Sequence, residues 1–170
     1  MNLMIDFETF ALTQDAAVSS LGFAVFDHDR VYSRGGWVIN VASSLLAGGV
    51  VNPETVNWWK TQEKAAKDAL ISGGVPIQKV MTELCGIWQK NACKLVWSHG
   101  ATFDIPIAEF YMGGQPPWRY FQHRDTRTLF DIAKMKGWVQ PDRVTAHVAS
   151  QDALDQAEDA IAALAHLRSL

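Results

Sequence analysis

The chain has few cysteines, little net charge and no long apolar run, and each shortage excludes a class of protein. Its 170 residues contain only Cys85 and Cys93, whose spacing matches neither a disulfide framework nor a zinc knuckle. We therefore expect two buried thiols in a reducing compartment. The formal net charge of −3 argues against a broad basic surface for coating nucleic acid, although it is compatible with carboxylates gathered around divalent cations.

The apolar stretches are too short to cross a bilayer, so we expect no membrane partner. Met1 leads to Asp6 without a basic start or a cleavage site, which predicts a cytoplasmic protein without a signal peptide. The 48% apolar content is enough for one sizeable core. Because no linker or repeat divides the chain, a single domain over residues 1–170 is predicted.

The pattern of apolar residues changes along the chain from a strand period to alternating strands and helices. Strands are predicted at Leu3–Glu8, Val18–Phe26, Val31–Ile39, Leu95–Trp97 and Phe121–Asp125. Helices are predicted from Pro53 to the Gly73-Gly74 stop through Ala65, Ala69 and Leu70, then at Ile77–Gln89, after Asp104, at Thr128–Lys136 and at Ser150–Leu167. Three antiparallel strands followed by α/β alternation predict an α/β fold, a five-stranded mixed sheet flanked by helices.

Two carboxylates stand at the end of the first predicted strand. Asp6 and Glu8 are two residues apart, so both point to one face of the strand and Phe7 points to the other. Two like charges placed together repel each other unless a cation lies between them. Taken alone, the pair is better explained as a solvated strand end.

The other candidate residues also have ordinary structural explanations. Asp104 and Asp152 lie near predicted helix starts, where the helix dipole favours a carboxylate. Asp155 and Asp159, farther along the last helix, are predicted to be solvated. His147 lies in a loop five residues before Asp152, and an imidazole there is suited to take a proton from water. The remaining histidines show no metal-ligand spacing and are predicted to be bystanders: His28, His99, His123 and His166.

Together these residues resemble the three motifs of the DEDDh group of 3′–5′ exonucleases, the superfamily of the proofreading exonuclease subunit, RNase T and oligoribonuclease. The motifs are Asp6-Phe7-Glu8, Phe103-Asp104, and His147 followed by Asp152. A narrower resemblance, to bacteriophage DexA-type exodeoxyribonucleases and their bacterial exoribonuclease relatives, is carried by residues 5–9, 54–62 and 124–128. Val148-Ala149-Ser150-Gln151 departs from the acid-rich run often seen in that branch.

This resemblance implies an RNase H-like fold and a two-metal-ion hydrolase. Two Mg²⁺ or Mn²⁺ ions would be held by Asp6, Glu8, Asp104 and Asp152, with His147 as the general base. The substrate would be the 3′ end of nucleic acid, preferably single-stranded DNA, and nucleoside 5′-monophosphates would be released. The cell would be a bacterium or an infected host, and a homodimer is compatible with the family.

The resemblance also implies contacts to the terminal nucleotide, from Phe7, Thr9 and Phe103. Phe7 has an alternative explanation as a core aromatic. Trp58 and Trp59 point about 100° apart on a helix, so only one is expected to stack on a base. Trp59 is favoured for that role, and the other tryptophan is expected in the core.

A charged segment at Arg124, Asp125 and Arg127 has two explanations that the sequence leaves open. It either orients a phosphate or the metal shell, or it is simply a charged strand end.

Three other functions also stay open. An exoribonuclease acting on RNA 3′ overhangs would use the same residues, because sugar discrimination depends on contacts near the 2′ position. A catalytically silent nucleic-acid-binding domain would keep the fold, but all five catalytic-type residues are present. An RNase H-like endonuclease would cut internally, which the pairing of His147 with Asp152 argues against.

Overall fold

The computed structural model describes residues 1–62, 73–143 and 147–170. Its strands are β1 (Asn2–Thr9), β2 (Val18–Phe26), β3 (Val31–Val38), β4 (Leu95–Ser98) and β5 (His123–Asp125). The described helices are α1 (Val41–Leu46), α2 (Pro53–Thr61), α3 (Ile77–Lys90), α4 (Asp104–Tyr111), α5 (Thr126–Met135) and α6 (Ala149–Arg168). The strands form one sheet in the order β3-β2-β1-β4-β5.

The predicted five-stranded mixed sheet is confirmed. Strands β1, β2 and β3 are antiparallel neighbours, whereas β4 and β5 run parallel to β1. The last predicted strand is shorter than expected, because Tyr120–Gln122 forms a 3₁₀ turn and only His123–Asp125 pairs with β4. Helix α2 starts at Pro53 as predicted. The expected continuation through Ala65, Ala69 and Leu70 lies outside the described residues.

Strand β1 is central and is covered on both faces. Leu3, Ile5 and Phe7 point into the larger core, which α3 and α4 complete. Met4 points to the opposite face, into a second core formed with α5 and α6. Asp6 continues the Met4 side by the two-residue period of a strand, so the carboxylates emerge where the second core ends.

Helix α6 approaches the sheet closely because small residues lie on both sides of the contact. Its buried inner face is mostly alanine, including Ala153, Ala157 and Ala160. On the sheet, Gly22 pairs with Asp6 across β1 and β2, and Gly36 pairs with Gly22 across β2 and β3. A side chain on Gly22 would collide with the Ala149 backbone, at the first residue of α6. The two glycines therefore let the start of α6 sit beside Asp6.

Replacing Gly22 by alanine is expected to destabilise the protein by about 1–3 kcal/mol, the usual effect of overpacking. It should also lower metal-dependent activity, because the start of α6 must move away from β1. Urea denaturation and a nuclease assay would measure the two effects.

Gly86→Ala is the matched control for that change. Gly86 is exposed on α3, and a Cβ there would meet nothing within 4 Å. Alanine at such a helical position should stabilise the protein by about 0.5–1 kcal/mol. A Gly22→Ala protein as stable and as active as wild type would contradict the close packing of α6 described above.

Both cysteines are free thiols in the structure. Cys93 is buried as expected, and burial raises its pKa to about 11. Cys85 is only half-buried. Among the described residues, no helix is long and apolar enough to cross a membrane.

Candidate active site

Four carboxylates from three elements converge at the end of β1. Asp6 and Glu8 project from β1, Asp104 begins α4, and Asp152 lies in the first turn of α6. The Phe7 N–H donates to Asp104 Oδ1 at 3.0 Å, which ties α4 to β1. All four carboxylates line one cavity of about 750 Å³, together with His147. The structure thus brings together five candidate residues that lie in separate segments of the sequence.

Burial and mutual repulsion raise the pKa values of three carboxyls in this cluster. Burial, followed by repulsion from Asp104 and Glu8, raises the pKa of Asp6 well above its usual value. Burial and then repulsion from Asp152 raise the pKa of Glu8 to about 8. Burial also raises the pKa of Asp104 to about 7, although the Phe7 N–H and the charge of Arg127 oppose that rise. Ionising these carboxyls in the folded protein therefore costs more free energy than ionising them in water.

The donor set fits a divalent metal. One possible ligand atom from each of Glu8, His147 and Asp152 can be chosen so that all three lie within 4.8 Å of one another. Carboxylate oxygens are the ligands that hard cations such as Mg²⁺ prefer. A cation among these oxygens would offset the repulsion that raises the pKa values of Asp6 and Glu8. The His147 ring lies close enough to Glu8 and Asp152 to act either as a metal ligand or as a base for a water at the cluster.

His147 lies between α2 and the start of α6. Its ring meets Trp58 and Trp59 edge-on, with centroids 5.1 Å and 5.9 Å away. Its φ angle is +48°, in the left-handed region that few residues other than glycine adopt. Such a conformation persists only where neighbouring contacts hold it, and it recurs at functional sites.

The two tryptophans of α2 have different surroundings. Trp59 is 4% exposed, and its Nε1–H donates to the Thr9 carbonyl at 2.8 Å, which anchors α2 to the end of β1. Trp58 is 45% exposed and lines the same cavity. The expectation that Trp58 lies in the core is wrong. Stacking on Trp59 stays a prediction from the sequence, but Trp58 offers the more accessible ring.

The other predicted substrate contacts also border the cavity: Phe7, Thr9 and Phe103. Phe7 is buried in the larger core, which agrees with its alternative explanation as a core aromatic. The Thr9 hydroxyl donates to the Ala11 carbonyl at 2.8 Å. Phe103 precedes α4 and is half-buried.

Gln156, one turn after Asp152, also belongs to the site, although no role was predicted for it. The Gln156 amide Nε2 donates to Asp6 Oδ1 at 2.8 Å and so orients that carboxylate. The only signal in the sequence was its spacing of four residues from Asp152, which places both on one face of α6.

The prediction that Asp159 is solvated is wrong. Asp159 is 3% exposed, and one of its oxygens lies 2.8 Å from the guanidinium of Arg143. The same guanidinium pairs with Asp155 at 2.9 Å and with Glu158 at 3.1 Å. A buried carboxylate requires such a partner, and the pairing joins Arg143 to α6.

His99, expected to be a bystander, also lines the cavity. Its Nδ1 lies 2.8 Å from the Thr126 hydroxyl, and burial lowers its pKa.

Comparisons with known proteins bear on the family and the fold. The family model described as the 3′-5′ exoribonuclease Rv2179c-like domain matches residues 1–167. The solved structure of Exonuclease X in complex with 5′ overhanging duplex DNA has a similar fold, with a TM-score of 0.57 and 14% sequence identity. That likeness covers 99% of this chain and 92% of the other, and it confirms the RNase H-like fold. No protein of curated function matches the sequence significantly.

Proposed function

Since the chain belongs to the 3′-5′ exoribonuclease Rv2179c-like domain family, and is thus a 3′–5′ exonuclease, we propose that it is a two-metal-ion enzyme of the DEDDh type acting on single-stranded 3′ ends. One observation carries the proposal. Asp6, Glu8, Asp104 and Asp152 share a cavity with His147 and an open tryptophan ring.

The four carboxylates would hold two Mg²⁺ or Mn²⁺ ions. Bound cations supply Lewis-acid activation of a water and stabilise the leaving oxygen. Gln156 would keep Asp6 in a fixed orientation through its hydrogen bond, and the Phe7 N–H would do the same for Asp104. These two contacts orient the carboxylates before any substrate is present.

His147 would take the proton of the attacking water. Its ring is held by Trp58 and Trp59, and it lies beside Glu8 and Asp152. A base in this position acts on water at the carboxylate cluster, and the products would be nucleoside 5′-monophosphates.

The terminal nucleoside would lie at the α2 end of the cavity. Trp58 offers an exposed ring for base stacking, which is tolerant of sequence because every base has a π face. Thr9 and Phe103 border the same space. Trp59, with Phe7, would act mainly as support beneath the site.

RNA is the first candidate substrate and DNA is the second. The sequence resemblance to DexA-type enzymes favoured single-stranded DNA. The matched family is described as an exoribonuclease over residues 1–167, which supports RNA. The similar solved structure contains DNA, which keeps the DNA alternative.

Side-by-side digestion of matched single-stranded RNA, single-stranded DNA and a duplex with a 3′ overhang tests this proposal. With 5′-end-labelled strands we expect a ladder that shortens from the 3′ end, faster on RNA than on DNA. Digestion should require Mg²⁺ or Mn²⁺ and stop with EDTA.

A 3′-phosphorylated strand and a circular strand are the controls. Equal digestion of free and 3′-blocked ends would contradict an exonuclease that needs a 3′ hydroxyl, and cutting of the circle would indicate an endonuclease. Binding without any digestion would indicate a catalytically silent domain.

A further inference from the structure

The cavity has two chemically different ends on either side of the carboxylates. Its aromatic end is formed by Trp58 of α2 with His147 before α6. Helix α6 packs over β1, β2 and β3, so this end lies toward the β2 side of the sheet. The opposite end is formed by Arg127 and His99, which follow β5 and β4 on the other side of β1. A strand whose 3′ nucleoside lies at the aromatic end can cross the carboxylates and leave past Arg127.

Arg127 and its charged neighbours Arg124 and Asp125 occupy different positions. The Arg124 guanidinium donates to the carbonyls of Phe121 and His123 at 2.9 Å and 2.7 Å, so it caps the preceding turn. Asp125 accepts from the Thr128 and Ala101 N–H groups at 2.8 Å and 2.7 Å, so it caps α5 and holds the loop after β4. Only Arg127 of the three lines the cavity.

Among the described residues, Arg127 has no direct charged partner, although its charge acts to lower the pKa values of Asp104 and Asp125. Within residues 1–62, 73–143 and 147–170, Arg127 forms no ion pair and donates no hydrogen bond. Its guanidinium lies against the backbone of Gly100, where an added Cβ would be 3.8 Å from Arg127 Cζ. The other arginine at the cavity, Arg143, is paired with Asp155, Glu158 and Asp159. Of the two described arginines that line the cavity, Arg127 is therefore the exposed one that is available to an anion entering the site.

We propose that Arg127 binds a backbone phosphate of the retained strand, on the 5′ side of the bond that is cleaved. The planar guanidinium presents paired N–H groups that match phosphate oxygens. Its position beside Asp104 places it at the edge of the carboxylate cluster. This inference rests on the proposed function, since it assumes that the terminal nucleoside lies at the aromatic end.

If Arg127 binds one backbone phosphate, KM should depend on whether that phosphate is replaced by an uncharged linkage. The strand that the enzyme digests faster is synthesised with one methylphosphonate at the second or at the third linkage from its 3′ end. For wild type, one of these positions should raise KM by about 10- to 100-fold, the loss of one charge-assisted hydrogen bond. Arg127→Gln should raise KM similarly on the unmodified strand, with no further loss from the neutral linkage.

Arg124→Gln is the matched control, because it removes the same charge from a side chain outside the cavity. It should behave as wild type on every strand. For Arg127→Gln the dependence of log KM on log salt should also weaken by about 0.7, the share of one phosphate contact on a single strand. Mn²⁺ binding, measured by calorimetry, should be retained.

Two results would overturn the proposal. One is an Arg127→Gln enzyme with wild-type KM, and the other is a variant that keeps the wild-type sensitivity to the neutral linkage. Strand binding by fluorescence anisotropy, with Ca²⁺ in place of Mg²⁺, measures the contact without turnover. Binding that depends on Arg127 in a protein without nuclease activity would support this contact and contradict the proposed function.

Discussion

Replacing Asp6 by asparagine is expected to lower kcat/KM by at least about 10³-fold, since the substitution removes one of the four carboxylates that would hold the two cations. The change preserves the size of the side chain. It also removes one of the repelling charges in a buried cluster, so the metal-free protein should be at least as stable as wild type. Lost activity in a stable protein would separate a catalytic role from a structural one.

Two further variants sharpen this measurement. Asp131→Asn removes an exposed carboxyl on α5 and should keep full activity.

His147→Ala should lower kcat by about 10²–10⁴-fold, as expected for a general base, with Mn²⁺ binding by calorimetry largely intact. Loss of Mn²⁺ binding in His147→Ala would show that the imidazole is a ligand. Wild-type activity in Asp6→Asn would remove the basis of the proposed site.

Metal-free protein is expected to lose stability as the pH rises from about 4.5 to about 8. Below the usual glutamate value of 4.5, Glu8 is protonated in both the folded and unfolded chain. As the pH rises, the unfolded chain loses this proton first, because the folded pKa is about 8. Unfolding is then favoured increasingly until the folded carboxyl also ionises. Asp104, with a folded pKa of about 7, acts in the same direction.

The size of this effect should be several kcal/mol, because each unit of pKa shift corresponds to about 1.4 kcal/mol. For a domain of this size, that lowers Tm by roughly 10 °C between pH 5 and pH 8. Thermal denaturation in EDTA would measure it. Saturating Mn²⁺ should restore most of the loss at pH 8 and little at pH 5, because the cations bind the ionised carboxylates of the folded state.

Glu8→Gln tests whether this carboxyl is responsible. The variant should show a flatter dependence of Tm on pH in EDTA, whereas Asp131→Asn should keep the wild-type slope. Parallel curves for wild type and Glu8→Gln would mean that Glu8 ionises normally and that the cluster is not strained by its own charge.

Much of this site could be predicted from local sequence. The two-residue period placed Asp6 and Glu8 on one face of β1, and the structure has them there. The helix starts at Asp104 and near Asp152 were predicted from their own short segments, because capping and the helix dipole act within one turn. The family resemblance then joined these segments into one site.

What the sequence did not reveal depends on contacts between distant segments. Gly22 and Gly36 read as ordinary strand residues, although a glycine inside a strand often marks a close approach by another element. Asp159 looked solvated because its partner, Arg143, belongs to the preceding loop. The choice between Trp58 and Trp59 depends on the angle at which α2 meets β1, which helical periodicity does not determine.

The hydrogen bond between Gln156 and Asp6 joins residues 150 positions apart in the chain. During synthesis, β1 is made early, and it must wait for α6 before the carboxylate cluster is complete. Contacts of such long range form late and slowly in folding. A partly synthesised chain can therefore hold all five strands and still lack Asp152. The carboxylate cluster would therefore be complete only once α6 packs on the sheet.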